Sequence, residues 1–331
     1  MEKQLIFACA RVRSQENYMI TRDKLTLMTE ARSMEDACKV LQDAGYGSEN
    51  EILVPQNYEK ILVTETVKLF SLLASIAKGR RELLIFAYPY DYHNIKVLLK
   101  AEILGLDYGS ILMTGGTVEP ALMTAYVRER NYQAMTANMK LGIEEALDTH
   151  ARTKDPQCID LILDRCCYRD ICDIAAQSGN EFLQGYVRLL IDTINLKTFA
   201  RVRRIGEPWT YFSSVFIPGG SIEDSTFISG YEESLTQFPQ RLSSSLLAEA
   251  ADTGFASIKE SGSFTELERL CDNAMIRYIS RAKFITYGIE PLIAYTAAKQ
   301  MEIKSVRIIL AGKTAGLEPS RIRERLRETY G

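Results

Sequence analysis

The chain has 331 residues, 46% of them hydrophobic, enough to bury a large core and ordinarily to form two or three domains. Lysine and arginine number 40 against 43 aspartate and glutamate, a formal charge of −3, so nothing announces a polyanion partner and the balance argues against nucleic acid. The opening MEKQLIFACARVR is too short in apolar residues for a signal core, and no later stretch gives the ~18 uncharged apolar residues of a bilayer span. These features predict a cytosolic chain whose membrane association runs through a partner.

Helical periodicity dominates. Ser33 and Asp36 fit a capping box ahead of Met34, Ala37, Cys38, Leu41 and Ala44 at three- and four-residue spacing, and Gly45 follows as a stop. Residues 58–77, with Ile61, Leu62, Leu69, Phe70, Leu73 and Ile76, keep the same period up to Gly79. Residues 83–88 are the only run that reads as a strand, and it stands without partners, so the fold is predicted to be almost all α. Asp155-Pro156 and Glu290-Pro291 place proline where a first helical turn tolerates its missing N–H, and Ser263 with Glu266 reads as a second capping box. The Gly-Gly pairs at 115 and 219, and residues 252–262, read as turns or loops.

Seven cysteines, at 9, 38, 158, 166, 167, 172 and 271, form neither a disulfide framework nor a metal spacing, and are expected to be buried reduced thiols. With only His93 and His150 there is no HExxH and little material for a histidine-based triad. His93, beside Asp91 at a helix start, reads as a polar first-turn residue rather than an acid or base. Gly312-Lys313-Thr314 resembles the end of a phosphate loop, but Arg307 stands where that loop needs glycine. A helix C-terminus, with Gly312 as left-handed cap and Lys313 on the dipole's negative end, explains it better. The sequence thus predicts no catalytic, cofactor or metal residues.

An internal repeat is the most informative feature. HNIKVLLKAEILG, with Asn94, Lys96, Lys100 and Gly105, is echoed 101 residues later by INLKTFARVRRIG, with Asn195, Lys197, Arg201 and Gly206. A weaker copy, MEIKSVRIILAGK, brings Glu302, Lys304 and Arg307, with Lys304 lying 107 residues after Lys197. MTGGTVEP around Gly115 returns as IPGGSIED around Gly219, offset by 104. This period exceeds the ~20–50 residues of ordinary solenoid units and is the size of a small helical domain. It divides the chain into repeats over 1–110, 111–215 and 216–331. Recurrence of Lys96, Lys197 and Lys304 argues for a structural or interface role, since one active site does not need three copies. The tail RIRERLRETYG reads as a salt-bridged helix face that could also serve docking.

The block from Gly288 to the end, with Tyr295, Glu302, Lys304, Arg307, Gly312, Lys313 and Ile322 to Arg327, resembles the closing signature of the C subunit of V/A-type ATPases, the counterpart of the d subunit of eukaryotic vacuolar enzymes. YDYHNIKVLLKA and INLKTFARVRR are similar to that family's two other helix motifs, and ARVRSQENYMIT with the later GYG to its opening. The tract 209–224 matches no family pattern beyond the repeat. The resemblance implies a funnel of three similar helical domains about a pseudo-threefold axis. It implies a non-catalytic subunit on the cytoplasmic side, with its wide face on the membrane rotor ring and its concavity receiving the central shaft. Its task would be to couple ring to shaft in ion-driven ATP synthesis or ATP-driven ion transport, with no cofactor. Asn94, Lys96, Asn195, Lys197, Glu302, Lys304 and Arg307 are then structural or interface positions. The alternatives are a helical scaffold of another assembly, or a carboxylate-based helical-bundle enzyme.

Overall fold

The computed structural model describes residues 2–47, 57–109 and 111–331. Helices fill it, with no strand among the described residues. In order they are α1 (Glu2–Glu16), α2 (Arg22–Glu30), α3 (Met34–Asp43), α4 (Tyr58–Ile76), α5 (Tyr88–Leu104), α6 (Pro120–Glu129), α7 (Ala137–Thr153) and α8 (Gln157–Ser178). There follow α9 (Glu181–Ile205), α10 (Trp209–Val215), α11 (Asp224–Ser229), α12 (Ala248–Ser261), α13 (Thr265–Ser280), α14 (Glu290–Thr314) and α15 (Pro319–Arg323).

The chain forms two compact units. One is continuous, residues 80–187, and the other is made of residues 1–79 and 188–331. In the continuous unit α8 packs along α7 and α5, and Ile159, Leu163 and Ile171 of α8 are buried, as are Ile95 and Leu99 of α5 and Ile143 of α7. In the discontinuous unit α14 is the central element, packed by α1, α2, α3, α4 and α13. Ile303, Val306, Ile309 and Leu310 recur on it at three- and four-residue spacing and meet Leu25, Met28, Leu41, Ile61 and Leu62 in one core. A second core there is aromatic. Phe199 of α9 stacks on Phe238 at 4.3 Å between ring centres and meets Phe212, Phe227 and Tyr231 at 5.3, 5.2 and 5.6 Å. The 209–224 tract supplies Phe212 to this core.

Helix boundaries follow local chemistry. Ser33 Oγ accepts the Asp36 N–H at 3.1 Å, as a capping residue should, and Gly45 turns the chain after α3 with φ of 86°. α14 carries Pro291 in its first turn. Four local expectations are corrected. Residues 81–86 form a 3₁₀ segment leading into α5 rather than a strand, because Ile85 and Phe86 find helical neighbours and no strand. Residues 252–262 lie mostly inside α12, where Ala251, Phe255 and Ile258 make a buried face and Gly254 sits so close to Leu267 that a Cβ would collide. Ser263 does not cap α13: its hydroxyl accepts the Thr265 N–H instead, a local turn that leaves Phe264 at the cap position. Gly312 lies within α14, which runs to Thr314; glycine is needed because a Cβ would press on Ile322 of α15. Lys313 serves a different helix terminus from the one expected, donating to the Ala31 carbonyl at the end of α2.

All seven cysteines are free; Cys158 and Cys172 are only half-buried, and burial pushes the Cys271 thiol up to about 12. No helix among the described residues is long and apolar enough to cross a membrane, and none of them form a cluster of three or more acidic, histidine or cysteine side chains fit for a metal ion.

Candidate functional site

In its first two copies the repeat becomes a matching set of hydrogen bonds. On α5, Asn94 grips the backbone of Met113 with both ends of its amide: Nδ2 donates to the carbonyl and Oδ1 accepts the N–H, each at 2.8 Å. On α9, Asn195 does the same to Ile217, at 2.7 and 3.0 Å. One turn earlier, Asp91 accepts the Thr117 and Val118 N–H groups at 2.9 and 3.1 Å, and Asp192 accepts those of Ser221 and Ile222 at 3.1 and 3.0 Å. Between asparagine and aspartate contacts lies the Gly-Gly turn. Gly115 and Gly219 take φ of 112° and 105°, which side chains resist, and a Cβ on Gly116 or Gly220 would run into the Asp91 or Asp192 carboxylate. Thus motif helix and glycine loop are one locked cassette.

Burial raises the Asp91 and Asp192 carboxyls, and the loop N–H bonds pull back against it. Asp91, Asn94, Asp192 and Asn195 are all almost inaccessible, so the cassette satisfies loop backbone groups that water cannot reach. His93 beside them hydrogen-bonds the Ile111 carbonyl, at 3.1 Å.

The third copy performs the same duty on a distant segment. Glu302, at the asparagine position, accepts the Ile20 N–H at 2.6 Å through Oε2, and Tyr46 donates to Oε1 at 2.6 Å. Lys299, at the aspartate position, also donates to Glu302, at 2.6 Å, and lies 3.7 Å from Glu65. Burial, then Glu302, drives the Tyr46 phenol well above its usual range. The loop held by α14 therefore comes from the opposite end of the sequence.

The motif cations face acids on a neighbouring helix. In the continuous unit Lys96 pairs with Asp164 at 2.6 Å, and Lys100 with Asp160 one turn along. In the other unit α9 faces α13 in the same register: Arg201 pairs with Glu268 at 2.5 Å, but Asp272, the counterpart for Lys197, is taken by Lys304 and Arg327. Lys197 makes no ion pair among the described residues, yet it acts on Asp272 through space. Burial works to raise this carboxyl, and Lys304, Lys197 and Arg327 together hold it below the ordinary range. Arg307 lies apart from this node and pairs with Glu59 on α4 at 3.0 Å.

Of the seven positions singled out in the sequence, Lys197 and Lys304 are brought together at Asp272, and Asn94, Asn195 and Glu302 each hold a loop backbone within their own unit. Asp91, Asp192, Asp272 and Arg327 were not singled out in the sequence for these roles. The first two share the 101-residue offset and could have been found by extending the alignment one turn; Asp272 and Arg327 carry no such signal.

The profile of the family described as ATP synthase (C/AC39) subunit matches residues 8–325. Among similar curated proteins, the V-type sodium ATPase C subunit of Enterococcus hirae is 25% identical over 319 residues, covering 96% of this chain and 97% of that one. The A-type ATP synthase C subunit of Methanocaldococcus jannaschii is 25% identical, with 96% and 84% covered, and that of Haloquadratum walsbyi 20%, with 96% of each.

Proposed function

Because the chain belongs to the ATP synthase (C/AC39) subunit family, and is thereby a non-catalytic subunit of a V/A-type ATPase complex, we propose that it is the piece of the rotor that joins the membrane ring to the central shaft. It sits peripherally on the cytoplasmic face and passes torque in either direction, toward ATP synthesis or ion transport. The observation that supports this reading is the cassette. A torque-bearing body must resist shear between its helices, and apolar packing alone is non-directional. Paired hydrogen bonds of Asn94 and Asn195 with their loop backbones, and the single Ile20 N–H that Glu302 accepts, fix register and angle, and close-packed cores around them resist compression. Three related helical repeats, each with one such lock, are the architecture this role calls for.

The test is a paired assay in reconstituted vesicles. Without this subunit, ATP hydrolysis by the catalytic head should persist while ATP-driven ion uptake disappears. Full uptake in its absence would refute an obligatory coupling role.

A further inference from the structure

A cleft of about 520 Å³ opens beside α14 and is not accounted for by the cassettes. Its floor is aliphatic, from Ile308, Ala311, Leu317 and Ile322, and four cations also line it, Lys304, Arg307, Arg325 and the buried Arg327. The single acid that lines it, Glu268, is already occupied by Arg201. Arg307 is answered by Glu59, but the other three cations are incompletely neutralised. Lys304 and Arg327 share the one carboxylate of Asp272, and the exposed Arg325 makes no ion pair among the described residues. The matching helices of the continuous unit show the contrast, since there Lys96 and Lys100 have an aspartate each. Positive charge is thus in excess in this cleft, over an apolar floor in which Ala311 and Ala315 leave room for close approach.

We propose that this cleft is a docking groove for an amphipathic acidic segment of a neighbouring subunit, with aliphatic side chains laid on the α14 floor and carboxylates facing Arg325 and Lys304. The assignment rests on the reading that the chain works inside a multisubunit ATPase. Charge complementarity selects the partner: a basic or neutral helix would leave Arg325 and the surplus charge at Asp272 unanswered, and a bare anion would leave the aliphatic floor wet.

The probe is a fluorescent amphipathic helical peptide with glutamates at i, i+4 spacing on one side and leucines on the other, titrated into the full-length chain and followed by anisotropy. Binding should weaken about tenfold or more in Arg325→Glu, weaken again in Leu317→Asp, fall with added salt, and vanish when the peptide's glutamates are lysines. No binding, or binding indifferent to Arg325→Glu, overturns the groove. Both side chains are solvent-facing, so circular dichroism should confirm intact folding of the variants. In the assembled complex, a photocrosslinker at Leu317 should tag an acidic, partly apolar segment of another subunit; an adduct to a second copy of this chain overturns the proposal. Copurification with the ATPase is scored separately. A chain that binds the peptide yet is absent from the complex sinks the functional reading, and one that is in the complex but gives no adduct sinks the groove alone.

Discussion

Asp272 offers one oxygen, Oδ2, to both Lys304 and Arg327, at 2.6 and 2.8 Å, and so ties α13 to α14 and to the C-terminal segment through a single atom. The Arg327 side chain is only 5% exposed, so it cannot fall back on water if that atom is lost. Asp272→Asn should therefore destabilise the protein by about 3 kcal/mol or more, the usual cost of orphaning a buried charge. Urea unfolding should show this as a lower midpoint; a midpoint matching wild type would mean that the node carries no stability.

The same residue sets a pH dependence. Its folded carboxyl ionises below its unfolded value, so its contribution is complete above the ordinary carboxylate range and is lost as pH falls through the lowered value. Asp91 and Asp192 act oppositely. Their raised carboxyls favour the folded state below the ordinary value, and that contribution fades as pH rises through the raised one. Below about pH 4 the wild type should lose stability more steeply than Asp272→Asn. Parallel acid limbs in urea titrations across that window would contradict the assignment.

Gly116→Ala and Gly220→Ala place a methyl group against the Asp91 and Asp192 carboxylates. Each should cost about 1–3 kcal/mol, the range for overpacking a tight site, and the two should be additive because they lie in separate units. A double-mutant cycle by thermal or urea unfolding checks both magnitude and additivity. Unperturbed single variants would show that the loops relax away from the helices.

Phe199→Ala should be among the most damaging core truncations, at about 3–5 kcal/mol, because five aromatic rings pack around this one fully buried ring in the α9–α12 region. Near-ultraviolet circular dichroism should lose aromatic signal in step with stability. Full retention of that signal would show that the cluster re-forms without its centre.

Ser305→Pro tests coupling directly. Ser305 is buried in α14 between Glu302 and the Ile309 side of the core, and proline there removes a helix hydrogen bond and clashes with the preceding turn, costing ~3 kcal/mol or more. Ion uptake by the assembled enzyme should fall before hydrolysis does. If the two activities decline together, the helix serves assembly alone.

Much of this fold was legible in the sequence because its signals are local. Periodicity on α3 and α4, the Ser33 cap and the proline openings need only neighbouring residues, and Asn94 and Asn195, 101 residues apart, make matching hydrogen bonds. Where residues 252–262 and Gly312 misled, Gly254 and Gly312 serve approach between helices rather than chain reversal, a distinction that depends on Leu267 and Ile322 arriving from elsewhere. Glu302 was flagged, but its partner Ile20 could not be, since nothing in an apolar residue's identity says which side chain will take its N–H. Asp272 was invisible for a related reason: ion-pair choice among Lys197, Lys304 and Arg327 is settled by packing.

The Ile20–Glu302 bond spans 282 residues, and this sets an order of events during synthesis. Residues 80–187 are contiguous, so this compact unit is complete in sequence once residue 187 has left the ribosome. The unit that encloses them in sequence does not. Leu25, Met28, Leu41, Ile61 and Leu62 must wait for Ile303 to Leu310, an interval of roughly 10–50 s at ordinary elongation rates. During that wait the first four helices present an apolar surface without its cover, which makes the earliest-made part of the chain the last to become native and the natural client of ribosome-associated chaperones.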